Sequence, residues 1–236
     1  MQEFFANLAA DFHQTFIEAD RWLALLKGLG MTLKITALAL ILGVVLGVLV
    51  AVVRSSHDQM RHPGGLMRLL NKLCHLYLTV IRGTPVMVQL LIMYFVVLVN
   101  STNVVMVASI TFGINSGAYV AEIVRGGIMS IDKGQMEAGR SLGLNYIQTM
   151  WHIIIPQAVK NILPALGNEF ITLLKETSIV NVIGAKDITK WAMNVQGRTY
   201  QAFMPFIGIA IVYLIMVIIL SKLVSMLERR LNTDER

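Results

Sequence analysis

"EAGRSLGLNYIQTMWHIIIP", residues 137–156, sets a polar, glycine-containing stretch against an apolar run that ends in proline. Glu137, Arg140 and Ser141 belong in water, whereas residues 150–156 belong in a dry environment. The purpose of such a junction depends on the rest of the chain, which is oily. Of 236 residues, 56% are hydrophobic and 14% charged, far from the balance of a soluble domain. The chain is that of an integral membrane protein.

Other classes fall away on composition. The single cysteine, Cys74, leaves no internal disulfide to form. A net charge of +6 invites a nucleic-acid partner, but in a membrane chain excess Lys and Arg mark the cytoplasmic loops. The first twenty residues carry Glu3, Asp11, Glu18 and Asp20 and lack the basic start and apolar core of a secretory signal. Phe5, Leu8, Phe12 and Phe16 share one helical face there, which predicts a helix at the membrane interface.

A helix needs roughly 20 apolar residues to cross about 30 Å of hydrocarbon. Residues 31–53, 104–124 and 203–223 meet that requirement cleanly. The stretch 153–174 contains Pro156, Asn161, Pro164, Asn168 and Glu169, so it must pack on protein or line a cavity rather than face lipid. A fifth crossing joins an amphipathic stretch, residues 66–80, to the apolar run 86–99. Arg82-Gly83-Thr84-Pro85 between them predicts a bend, because proline removes a donor and glycine relaxes the backbone.

Counting Lys and Arg, 54–72, 125–160 and 222–236 hold four each, whereas 1–30, 100–103 and 181–204 hold two, none and three. The positive-inside rule then puts the N-terminus outside and the C-terminus in the cytoplasm. The expectation is an all-α integral membrane protein with about five transmembrane helices. Residues 1–30 form an external interfacial segment, 31–228 the membrane domain with a long cytoplasmic loop at 125–156, and 229–236 a cytoplasmic tail. Gly43 and Gly47 form a GxxxG pattern suited to close helix approach.

Catalytic signatures are missing from this sequence. No lysine is followed by Ser or Thr, so there is no GxxxxGK[ST] phosphate loop, and neither a GxSxG element nor a helical His pair for zinc is present. His13, His57, His62, His75 and His152 read as scattered interfacial side chains.

The opening stretch resembles the EAA motif of permease subunits in ATP-binding-cassette importers. Glu137-Ala138 begin it, Gly143 takes the glycine position, and Ile153-Ile154-Ile155-Pro156 close it, with Gly139 in place of the second alanine and Ile155 in place of leucine. Three blocks, "IRGTPVMVQLLIMYF" at 81–95, "GAYVAEIVRGGIMSIDKGQMEAGRSLGL" at 117–144 and "LPALGNEFITLLKETSIVNVIG" at 163–184, resemble the polar amino acid branch of these importers. The resemblance implies a multi-pass permease in a bacterial inner membrane, paired with an identical or related permease chain. It also implies two cytoplasmic ATPase subunits that hold ATP and Mg, an external substrate-binding protein, and no cofactor bound by this chain.

Within that frame, Glu137, Ala138, Gly139, Arg140, Ser141 and Gly143 are expected to form a short coupling helix received by the ATPase subunit. Glu137 is expected near the helix start, Ala138 and Gly139 to permit close approach, and Gly143 to end the helix in a left-handed conformation. Asn168, Glu169 and Thr172 fall near mid-membrane, and Thr84, Met87 and Gln89 lie just beyond the bend; these six are the expected substrate path. Glu169 suits a substrate ammonium or guanidinium, or else a structural partner such as Arg82 or a backbone donor near Pro164. Glu122 suits a pair with Arg125. The outer segment 185–204, with Trp191 and Arg198, suits contact with the binding protein. An ion-gradient-driven carrier and a non-transporting scaffold are the competing readings, since broken helices and buried polar groups suit a carrier too.

Overall fold

The computed structural model describes residues 8–60 and 62–232. Among these residues there is no strand. The helices are α1 (Arg21–Gln59), α2 (Gly65–Gly83), α3 (Val86–Ile92), α4 (Val104–Met129), α5 (Lys133–Ser141), α6 (Tyr146–Thr149), α7 (Ile155–Glu176), α8 (Ile188–Thr199) and α9 (Phe203–Asn232). Wide π-type turns at Met93–Val97 and Met150–Ile154 extend α3 and join α6 to α7.

Left-handed backbone at Ala19 and Asp20, with φ of 55° and 53°, sets off the residues before α1. From there α1 runs 39 residues without interruption, about 58 Å, well beyond the hydrocarbon thickness. The expected boundary after residue 30 therefore falls inside α1, because nothing in residues 21–30 breaks the helix. The apolar face expected before it also divides. Phe12 is exposed, Phe16 stacks on Trp191 with ring centroids 5.6 Å apart, and Phe5 lies outside the described residues.

Small side chains fix the central pairing of α1 with α4. Gly28, Thr32, Thr36, Ala39, Gly43, Gly47, Ala51 and Ser55 are buried along one stripe of α1, a spacing of one helical face. A Cβ on Gly47 would stand 2.6 Å from the Val120 side chain, and one on Gly113 2.7 Å from Leu42. The GxxxG pattern is thus used inside the chain, where α1 meets α4. Toward one end of this seam, Ile35, Ala39, Leu90, Val107, Ala108 and Phe112 form a core with the turn Thr177–Ile183; toward the other, Ala51, Val120, Val124, Ala158 and Ile162 bring in α7.

The expected bend between α2 and α3 is present and is sharp, at 106°. The α2 helix anchors through Leu78, which is buried, and through the Tyr77 hydroxyl, which donates to Ile114 O at 2.6 Å. Leu66, Leu69, Leu73 and Leu76 stay exposed on its apolar side. Ahead of α7, the wide turn ends at Ile154, two residues before Pro156, whose ring in a regular α-helix would press on the carbonyl four residues back. By length and apolarity α1, α4 and α9 can each cross a membrane, and α2 with α3 can do so together as a bent pair.

Candidate translocation site and coupling surface

α7 presents two polar edges. Its Asn168 and Thr172 are exposed, and their side chains form no hydrogen bond among the described residues. With Asn161 and Lys175, also exposed, they follow an i, i+7, i+11, i+14 spacing that makes a single stripe. Glu169, at the stripe's border, turns toward α4 and accepts a 2.7 Å hydrogen bond from the buried Ser116 hydroxyl. The partner is therefore neither Arg82 nor a donor near Pro164. Arg82 instead lies over the Tyr119 ring, 5.6 Å from its centroid.

The residues beyond the bend are tied to the same part of α4. Gln89 donates through Nε2 to Ile81 O at 2.8 Å, Thr84 Oγ1 at 2.8 Å and Thr84 O at 3.1 Å. Its Oε1 accepts from Asn115 Nδ2 at 3.0 Å, and Thr84 Oγ1 donates to Val80 O at 2.8 Å. Carbonyls that Gly83 and Pro85 leave without helical donors are thereby satisfied. Met87 is exposed beside them. Consecutive α4 residues thus hold both broken elements: Asn115 fastens α3, and Ser116 fastens α7. Sequence reasoning passes over Ser116, although a polar Asn-Ser pair inside an apolar span is itself a signal.

One to two turns further along α4, toward its C-terminal end, a cavity of about 430 Å³ opens between α1, α2 and α4, lined by Arg54, His75, Thr79, Arg82, Tyr119 and Glu122 among others. Glu122 accepts from Arg125 Nη2 at 3.0 Å and Nε at 3.3 Å, the expected pair, and also from Arg54 across the helices. Among the described residues no cluster of His, Cys, Asp and Glu is arranged to hold a metal.

The opening stretch forms α5, a tight corner, and α6. Asp132 caps α5, its Oδ1 accepting from Gly134 N at 2.7 Å. This starts the helix a turn earlier than expected and places Glu137 in mid-helix, away from the dipole's positive end. Gly143, at φ 85°, ends α5 as expected, with Leu144 N bonded to Gly139 O at 3.1 Å and Gly143 N to Arg140 O at 3.0 Å. Asn145 and Gln148 then form a reciprocal capping box that starts α6.

Glu137, Ala138, Arg140 and Ser141 are exposed, and the Ser141 hydroxyl turns back to Glu137 O at 2.9 Å. Gly139 is buried, and a Cβ there would meet Thr149 at 2.6 Å and Ile153 at 3.1 Å. Its smallness lets α5 press against its own chain. Sequence reasoning also passes over the apolar side chains beside α5: Leu142 is 81% exposed, Ile147 75% and Trp151 67%. Three large apolar groups are thus exposed on an otherwise polar stretch.

In α8, Trp191 is buried and donates from Nε1 to Arg21 O at 2.8 Å. It fastens α8 to α1, so its expected place in an external contact is corrected; Arg198 and Tyr200 remain exposed there.

Residues 43–233 match the family described as the binding-protein-dependent transport system inner membrane component. The chain belongs to this family. It is 37% identical over 214 residues to the arginine transport system permease protein of Bacillus subtilis, covering 89% of this chain and 94% of that protein. It is 36% identical over 212 residues to the glutamine transport system permease protein of Escherichia coli, covering 88% and 93%. A crystal structure of an amino acid ABC transporter with histidines matches at a TM-score of 0.79 and 44% identity over 88% of this chain and 94% of that one. A methionine ABC transporter in an inward-facing form shares the fold, with a TM-score of 0.77 at 19% identity. These neighbours are ABC transporter permeases, not secondary transporters, and ATP hydrolysis in this family is the work of a separate ATPase.

Proposed function

We propose that this chain is the transmembrane subunit of an ATP-driven importer for a polar amino acid, crossing a bacterial inner membrane five times. Its N-terminus faces outward. The crossings are α1, the bent α2–α3 pair, α4, α7 and α9, so that α5 and α6 lie in the cytoplasm with the basic loops. A second permease chain, identical or related, pairs with this one around the path, and an external binding protein delivers substrate near α8.

The observation that carries this proposal is the pairing of two surfaces on one continuous segment. On the cytoplasmic side, Leu142, Ile147 and Trp151 stand exposed on the same stretch as Glu137, Ala138, Arg140 and Ser141, and a nucleotide-binding subunit seats on that stretch. Gly139 and Gly143 shape the helix that presents it. In the membrane, α7 carries Asn168, Glu169 and Thr172, where polar groups are costly unless they meet substrate, water or protein. Motion of α5 reaches α7 through the Gly139–Thr149 and Gly139–Ile153 contacts. Thr84, Met87 and Gln89 complete the path from the outer half, and Glu169 favours a substrate carrying an ammonium or guanidinium group.

Vesicles reconstituted with this chain, its ATPase subunits and its binding protein test the proposal. Uptake of L-glutamine or L-arginine should require ATP. Leu142→Asp should release the ATPase subunits on purification and stop uptake. Uptake driven by an ion gradient without ATP would overturn the proposal.

A further inference from the structure

Among the described residues, backbone strain gathers at one joint. Three residues other than glycine have left-handed backbone: Ala19 and Asp20, at φ 55° and 53°, and Tyr200, at φ 59°. Such conformations persist only where the surroundings fix them, and they cluster where position matters to function. Ala19 and Asp20 turn the chain into α1, and Tyr200 turns it out of α8. The two turns are tied together, because Gln201 Nε2, next to Tyr200, donates to Asp11 Oδ1 at 2.7 Å.

Side chains close the joint around Phe16. Its ring stacks on Trp191 of α8 and fits against α9 at Gly208, where a Cβ would stand 2.5 Å from Phe16 Cζ. Thr15 beside it is fully buried. Arg21 holds both sides: its guanidinium donates to Gln14 O, and its carbonyl accepts from Trp191 Nε1. The other face of α8, with Met193, Asn194, Gly197 and Arg198, is exposed. Where that face points depends on how Trp191 is seated, and Trp191 is seated on Phe16 and Arg21.

From this we infer that residues 11–17 are a strap that sets the position of α8, and that Asp11 and Phe16 are positioning residues for the docking of the external binding protein. Neither touches the partner; both aim the face that does. The inference rests on the reading above that the binding protein delivers substrate near α8. It goes beyond that reading by giving a part in docking to residues ahead of the first crossing, outside the 43–233 stretch that matches the family.

ATPase activity of the reconstituted permease–ATPase complex is measured against rising concentrations of binding protein loaded with L-glutamine or L-arginine. Phe16→Ala should raise the concentration that gives half-maximal stimulation at least about fivefold, with the basal and maximal rates unchanged. Asp11→Ala should shift it in the same direction, and Asp11→Asn, which keeps an oxygen for Gln201, should stay close to wild type. Gly208→Ala pushes a methyl group onto Phe16 and should raise the half-maximal concentration by itself, but add nothing in the Phe16→Ala background. A lower maximal rate at an unchanged half-maximal concentration would make the strap merely structural and overturn the inference, as would wild-type behaviour of Phe16→Ala. Arg198→Glu, on the exposed face, tests the underlying reading separately and should weaken docking with the strap intact. Wild-type docking by Arg198→Glu would remove α8 from the interface, and the inference with it.

Discussion

Along the α1–α4 seam, Gly43, Gly47, Gly113 and Gly117 leave no space for so much as a methyl group without displacing a neighbour. Along α7, by contrast, Asn168, Thr172 and Lys175 stand exposed on a helix whose other side packs against α4 and α9. The seam is dry, built from small residues, and held by close van der Waals contact between the two helices. The α7 wall is polar, and it keeps hydrogen-bonding groups unsatisfied within the protein. Close packing of that kind resists movement and transmits it as a unit, whereas the wall presents groups to something outside the chain. The contrast separates a rigid spine from a working surface.

Substitutions can break the comparison from either side. The largest effect belongs to the seam. Gly47→Val places a branched side chain where Val120 stands at 2.6 Å and should cost about 3 kcal/mol of stability, read as a lowered unfolding midpoint of the purified protein in detergent. An unchanged midpoint would mean that the seam is loose. A smaller effect is expected at the joint between spine and wall. Gln89→Leu strips the amide that caps Ile81 O and Thr84 O and that receives Asn115. The cost should be about 1–3 kcal/mol; Gln89→Glu, which turns an anionic oxygen on the same carbonyls, should cost at least as much as Leu. The smallest effect on stability is expected at the wall. Thr172→Val should lie within about 0.5 kcal/mol of wild type, and a loss as large as that of Gly47→Val would erase the distinction.

The same contrast divides what is legible in the amino-acid sequence from what only the fold reveals. The crossing at 104–124, the bend at Gly83–Pro85 and the left-handed end of α5 at Gly143 are legible because composition and backbone chemistry decide them locally. The start of α1 reads ten residues late, since hydropathy marks where a helix is oily and not where it is helical; the break at Ala19–Asp20 has no glycine or proline to announce it. Trp191 reads as a surface aromatic because its segment is polar, and only the fold brings Arg21 O to its indole. Ser116 is hidden for the same reason: a lone hydroxyl acquires meaning from Glu169, 53 residues away. Leu142, Ile147 and Trp151 read as ordinary apolar residues, since no periodicity distinguishes an exposed apolar group from a buried one. In the wall, Asn168, Glu169 and Thr172 are legible as polar residues in an otherwise apolar stretch, but the direction each side chain takes is not.

Uptake by the reconstituted importer carrying Glu169→Gln tests the working-surface account most directly. Glutamine keeps an oxygen for Ser116 and the shape of the side chain, so folding and co-purification with the ATPase should persist while the charge is lost. The account predicts that ATP-driven uptake of L-arginine or L-glutamine falls at least about tenfold. Uptake equal to wild type, at equal protein and ATPase content, would contradict it.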